Sequence, residues 1–168
     1  MIVTNILSEG VMQMIHIEQG KMSESTAHVF VYTLTENGAM MGHVPDVMRQ
    51  KAAEIIDAVA ATKRPGRLWV SPFQMSWPQC MNPTPNGQPS RNVWGVLIPQ
   101  QKEKYGCELT LSLELLASWI KATNLPLRIA VYDDGRFYKD GDRLMAGNEY
   151  QNKLQHFLGE WDVAIYHQ

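Results

Sequence analysis

Polar and apolar residues alternate most cleanly along His28–Thr35, HVFVYTLT. Val29, Val31, Thr33 and Thr35 fall on one face, and His28, Phe30, Tyr32 and Leu34 on the other, which predicts a strand. Asn37-Gly38 then supplies a tight hairpin turn, with Ala39–Val44 as its returning strand. Spacings of three and four take over after Pro45-Asp46. Met48, Ala52, Ile55, Ile56, Val59 and Ala60 make one apolar stripe of a helix, which Pro65-Gly66 stops. A second helix is expected over Leu113–Thr123, capped by Ser112 and burying Leu113, Leu116, Trp119 and Ile120. A third follows Asn148 and Gln151, read as a capping box, and carries Tyr150, Leu154, Phe157 and Leu158 on one side.

Shorter strands fill the remainder. Val11–Glu18 sets Met12, Met14 and His16 on one side, after a short apolar piece at Ile2–Leu7. Arg67–Val70, Asn92–Ile98, Cys107–Leu111, Leu127–Tyr132 and Trp161–His167 also read as strands, the last with Trp161, Val163 and Ile165 together. Asp133-Asp134-Gly135 and Lys139-Asp140-Gly141-Asp142 are turn sequences. Helices and strands alternate irregularly and hairpins are frequent. The expected fold is therefore α+β: a single domain over residues 1–168, with three helices and about six to eight short strands in a mostly antiparallel or mixed sheet.

One stretch resists both periodicities. Trp69–Pro99 holds three of the five Trp and six of the nine Pro. Each Pro removes a backbone donor, so a long loop is expected at about 71–91. Phe73, Met75, Trp77, Met81 and Arg91 have the composition of a protein contact surface and form the predicted partner-binding set.

Composition narrows the function classes. The chain has 168 residues, 45% hydrophobic and 19% charged, with net charge −2, so it offers no general attraction for double-stranded nucleic acid or anionic membrane. Two Cys do not make a disulfide scaffold, and the first residues lack the features of a signal peptide. With no apolar run long enough to span a bilayer, a cytoplasmic location is expected.

Catalytic signatures are missing. The five His stand apart, with no H-x-x-x-H or H-E-x-x-H spacing, and neither Cys80 nor Cys107 lies in C-x-x-C. Phosphate loops, a G-x-S-x-G elbow and EF-hand spacing are absent as well. No metal, cofactor or catalytic residue is assigned. The expected function is a non-enzymatic protein that engages a protein partner through the 69–99 loop, such as a phage or mobile-element inhibitor of a host factor. Two alternatives stand beside it. One is a small hydrolase or transferase with a dispersed site, His28 or His43 with Asp133 or Asp134, or a Cys/His pair. The other binds a small ligand or a single-stranded nucleic acid on stacked Trp.

Overall fold

The structure is a computed structural model that describes residues 2–6, 12–34, 44–61, 71–81, 84–85, 87–99, 109–133, 139–140, 143–146 and 148–167, with side chains from residue 15 onward. The strands are β1 (Ile2–Ile6), β2 (Met12–Glu18), β3 (Val29–Leu34), β4 (Phe73–Trp77), β5 (Arg91–Pro99), β6 (Arg128–Tyr132), β7 (Lys139–Asp140), β8 (Arg143–Leu144) and β9 (Asp162–Tyr166). The helices are α1 (Asp46–Ala61), α2 (Leu109–Thr123) and α3 (Glu149–Leu158). The main sheet has seven strands in the order β1-β2-β9-β6-β3-β5-β4, and β7 and β8 pair separately.

The single domain and its three helices follow the sequence pattern, and the main sheet's seven strands fall within the expected six to eight, but that sheet is mixed and not mostly antiparallel. β2, β9, β6, β3 and β5 run parallel, and only the outer strands β1 and β4 are antiparallel to their neighbours. Apolar alternation marks a strand without giving its direction. The parallel centre shows instead in burial on both faces. Val29 and Val31 of β3 meet α2 and α3, while Phe30, Tyr32 and Leu34 meet the α1 side, and all five are 1% exposed or less.

The two faces are covered unequally. On one side α2 and α3 pack Leu113, Leu116, Ile120, Tyr150, Leu154 and Leu158 against Val163, Ile165 and Ile129. On the other, α1 lays Met48, Ala52 and Ile55 over β3, β5 and β4. Over β2 and β9 that second face has no helix among the described residues, only the strap 19–28, which carries a 3-10 turn at Met22–Glu24.

Two local expectations change. Leu109–Leu111, read as the end of a strand, opens α2, because Leu109, Leu113, Leu116 and Ile120 make a continuous helical stripe. Ser112 therefore sits inside the helix, fully buried, and donates to the Pro99 carbonyl at 3.2 Å instead of capping. Asn148 does precede α3, but its side chain makes no cap hydrogen bond. The predicted hairpin at Asn37-Gly38 and the strand Arg67–Val70 lie outside the described residues.

Candidate functional site

Three of the five predicted contact residues, Met75, Trp77 and Met81, belong to the core, and Phe73 and Arg91 are partly buried. Phe73–Trp77 is a strand, so the irregular part of the stretch narrows to the described residues after Trp77 and before Arg91. Trp77 is fully buried, Met75 is 4% exposed and Met81 7%. The Trp77 ring stacks on Phe30 at 3.7 Å between centroids. Phe73 is half-buried beneath Lys51, whose ammonium lies 5.7 Å from the ring centroid. Cys80 accepts the Asp46 amide at 2.8 Å, which fastens the stretch to the start of α1. Arg91 is committed inward too, donating to the carbonyls of Ala27 and Ser25 at 2.5 and 2.7 Å.

His28 and Asp133, the described members of the dispersed catalytic pairs, do not meet either. His28 precedes β3 at its amino end, and Asp133 follows β6 at its carboxyl end, so these neighbouring parallel strands hold the two residues at opposite edges of the sheet. His43 and Asp134 lie outside the described residues. Burial pushes the Cys80 thiol up to about 11, which removes the thiolate a nucleophile needs. Among the described residues no group of three or more His, Cys, Asp or Glu is placed to hold a metal ion, and no helix is long and apolar enough to cross a membrane.

Chain topology points to a different place. In open parallel sheets, ligands sit outside the carboxyl ends of the strands, where successive connections diverge. The chain leaves β3 toward β5 and β4, with α1 on one face, and leaves β6 toward β9, with α3 on the other. β3 and β6 are adjacent, so their carboxyl ends frame that crevice.

Three tyrosines line up beside it. Tyr132 is the register partner of Tyr166, and Val31 of Val131, so Tyr32, Tyr132 and Tyr166 cross β3, β6 and β9 at one level. Tyr32 and Tyr132 stack at 5.6 Å. The Tyr32 hydroxyl is buried with no hydrogen-bond partner among the described residues. Burial, more than the neighbouring Cys80 and Tyr132, drives its pKa well above the ordinary tyrosine value, so it stays a neutral donor and acceptor. Asp133, 6% exposed, follows directly; its amide donates to the Tyr166 carbonyl at 2.8 Å. The Asp133 carbonyl lies 2.6 Å from His167 Nδ1, which holds the ends of β6 and β9 together. Tyr32, Tyr132 and Asp133 thus lie near the carboxyl ends of β3 and β6. None of this is a short motif. Only the Tyr at or next to the end of each strand was visible beforehand.

A scan against protein-family models finds no match, and neither does a search of curated proteins. Among solved structures the chain is similar to the macrodomain of Mycobacterium tuberculosis DarG, at TM-score 0.48 and 14% identity, with 92% of this chain and 97% of that chain covered. It is also similar to the macrodomain of Thermus aquaticus DarG, at TM-score 0.47 and 19% identity, with 91% and 97% covered. Likenesses this distant transfer no residue role or ligand. The expected partner-docking inhibitor is corrected here: Met75, Trp77 and Met81, three of its five docking residues, are buried in the core, and two N–H groups of Arg91 are spent on the Ala27 and Ser25 carbonyls. Stacking of nucleic-acid bases on Trp77 is ruled out by the same burial.

Proposed function

We propose that this chain is a small-ligand-binding domain whose ligand sits at the carboxyl ends of β3 and β6. The observation that supports it is the divergence of the two connections at that point, α1 on one face and α3 on the other. Tyr132 and Asp133 stand at that point beside apolar strand residues, a mix of apolar wall and few polar groups that suits a small-molecule site. Other doubly wound parallel sheets hold mono- and dinucleotides at such a switch point. The first probes are therefore ADP and NAD, each titrated by calorimetry. Saturable binding to one of them is expected, weakened at least tenfold in Tyr132→Ala and Asp133→Asn, with the far-ultraviolet dichroism of both variants unchanged. Absence of binding to both probes, or binding indifferent to both substitutions, would count against the crevice.

A further inference from the structure

The amino edge of the sheet, opposite the crevice, gathers basic side chains. Phe30, Val93 and Ala130 pack on the α1 side of β3, β5 and β6. His28, Arg91 and Arg128 each stand two residues earlier, so the strand period puts all three on that same face. The strands are neighbours in the order β6-β3-β5 and run parallel. His28 extends β3, donating its amide to the Arg128 carbonyl at 2.9 Å and accepting the Trp94 amide at 2.8 Å. Three basic side chains therefore share one edge and one face.

The strap 19–28 brings their charged ends together. Arg91 donates to the carbonyls of Ala27 and Ser25, and Arg128 Nη2 donates to the carbonyl of Thr26 between them at 3.1 Å. The two guanidinium groups are thus fastened to three consecutive residues, with His28 next in the chain. Carbonyls satisfy N–H groups but leave the charge in place. No ion pair joins either arginine to a carboxylate among the described residues. Asp162 stands opposite Arg128 in register, but its Oδ1 faces His16 Nδ1 at 3.5 Å. Each charge is felt by its neighbours: burial and then Arg128 lower the Arg91 pKa, and burial, then Arg128 and Arg91, lower that of His28.

Donors are left over at this edge. A guanidinium has five N–H groups, of which Arg91 uses two and Arg128 one. His28 Nδ1 accepts the Arg128 amide at 2.9 Å. A backbone amide can only donate, so Nδ1 presents its lone pair and the neutral ring holds its proton on Nε2. No hydrogen bond from Nε2 forms among the described residues. Arg128 is exposed, and His28 and Arg91 are partly exposed, so solvent reaches the group. Two like charges held this close repel, and an anion shared by them removes that cost.

We propose that this edge binds a phosphate group, free or as a monoester, between Arg128, Arg91 and His28. Two charges on the ligand match the two guanidinium groups, whose N–H donors pair with phosphate oxygens, and a further oxygen accepts from His28 Nε2. A carboxylate offers one charge and two oxygens, and a phosphodiester one charge, so both fit less well. The site lies at the opposite edge of the sheet from the crevice at β3 and β6 and does not depend on it.

The test follows the His28 ring and Arg128 signals of the whole chain by NMR at about pH 8, where phosphate monoesters carry nearly two charges. Inorganic phosphate, methyl phosphate, dimethyl phosphate and acetate are titrated in turn at constant ionic strength. At least one of the first two is expected to shift the His28 signals saturably. Binding of inorganic phosphate alone assigns the free ion, and equal or tighter binding of methyl phosphate assigns the monoester. Dimethyl phosphate and acetate should bind at least tenfold more weakly. Arg128→Gln should weaken phosphate at least tenfold with unchanged dichroism, and Arg128→Lys, which keeps the charge without the fork, should weaken it less. The proposal is overturned by silence from both phosphates, by acetate or dimethyl phosphate binding as tightly, by unaltered binding in a folded Arg128→Gln protein, or by shifts centred on Asp133 instead of His28.

Discussion

His28 illustrates how one side chain becomes a pH-sensitive clasp. Its Nδ1 accepts the Arg128 amide at 2.9 Å, which requires an unprotonated nitrogen there. Burial, then the nearby Arg128 and Arg91, lowers its pKa below the ordinary histidine value. Between that lowered value and about 6.5 the unfolded chain holds the extra proton, so the stability His28 contributes is complete above about 6.5, is lost as the pH falls through this window, and changes no further below it. Urea midpoints of the wild type should therefore decrease from pH 7 to pH 5. His28→Asn, which keeps an acceptor and cannot titrate, should show a flatter profile; parallel profiles would refute the clasp.

Asp140 works in the opposite pH range. Its carboxylate accepts from Thr110 N at 3.0 Å and from Thr110 Oγ1 at 2.6 Å, and lies 3.1 Å from Lys153 Nζ. Burial alone would raise its pKa; the Thr110 hydrogen bonds and Lys153 outweigh that and hold it below the usual carboxylate value. The stability it contributes is present above about 3.9 and disappears as the pH falls through the lowered folded value. Asp140→Asn should lower stability by about 1 kcal/mol at pH 7. The difference from wild type should vanish in acid, which a pH series of denaturant titrations will show.

At the scale of elements, β4 and β5 decide what the Trp/Pro stretch is. Trp77 is paired with Arg91 and stacked on Phe30. Trp77→Ala should accordingly destabilise the domain by about 3–5 kcal/mol, as removal of a core aromatic does. Thermal unfolding measures this; a change within about 0.5 kcal/mol would restore a surface role for Trp77. Gly95 tests the same packing from the other side. A Cβ there would meet Met75 Sδ and the Phe73 ring at 2.9 Å and Met48 Cε at 3.0 Å. The methionine ends can swing away and the ring has less freedom, so Gly95→Val should cost about 1–3 kcal/mol by the same assay. Helix α2 shows how an element was misjudged at its edge. Three residues of alternation at Cys107–Leu111 fit a strand as well as the first turn of a helix, and only the continuation through Leu113 and Leu116 favours the helix.

For the whole molecule, the order of strands matters more than their number. β2 and β3 are consecutive parallel strands of the sheet yet lie three positions apart, with β9 and β6 from the end of the chain between them. Removing the C-terminal part would therefore strip β6 and β9 from the middle of the sheet. Unfolding should be one cooperative transition, with tryptophan fluorescence and far-ultraviolet dichroism giving the same midpoint. Two separated midpoints would show that the sheet divides.

Alternation and helical spacing were sufficient to mark most elements and the inward faces of β3, β9, α1 and α3, because a side chain's face follows from its position in a repeat. They also made a single α and β domain evident. Strand direction and order lay beyond them, because hydrogen-bond partners are chosen across the whole chain and leave no local period. The same holds for contacts between strands. Tyr32 meets Tyr132, and His16 meets Asp162, only once the sheet sets their strands side by side. The aromatic, Met-rich composition of Trp69–Pro99 could not distinguish an exposed contact surface from a buried one. Tertiary packing decided that, by folding its Trp77 under Phe30 and leaving the polar groups of distant strands to form the pockets.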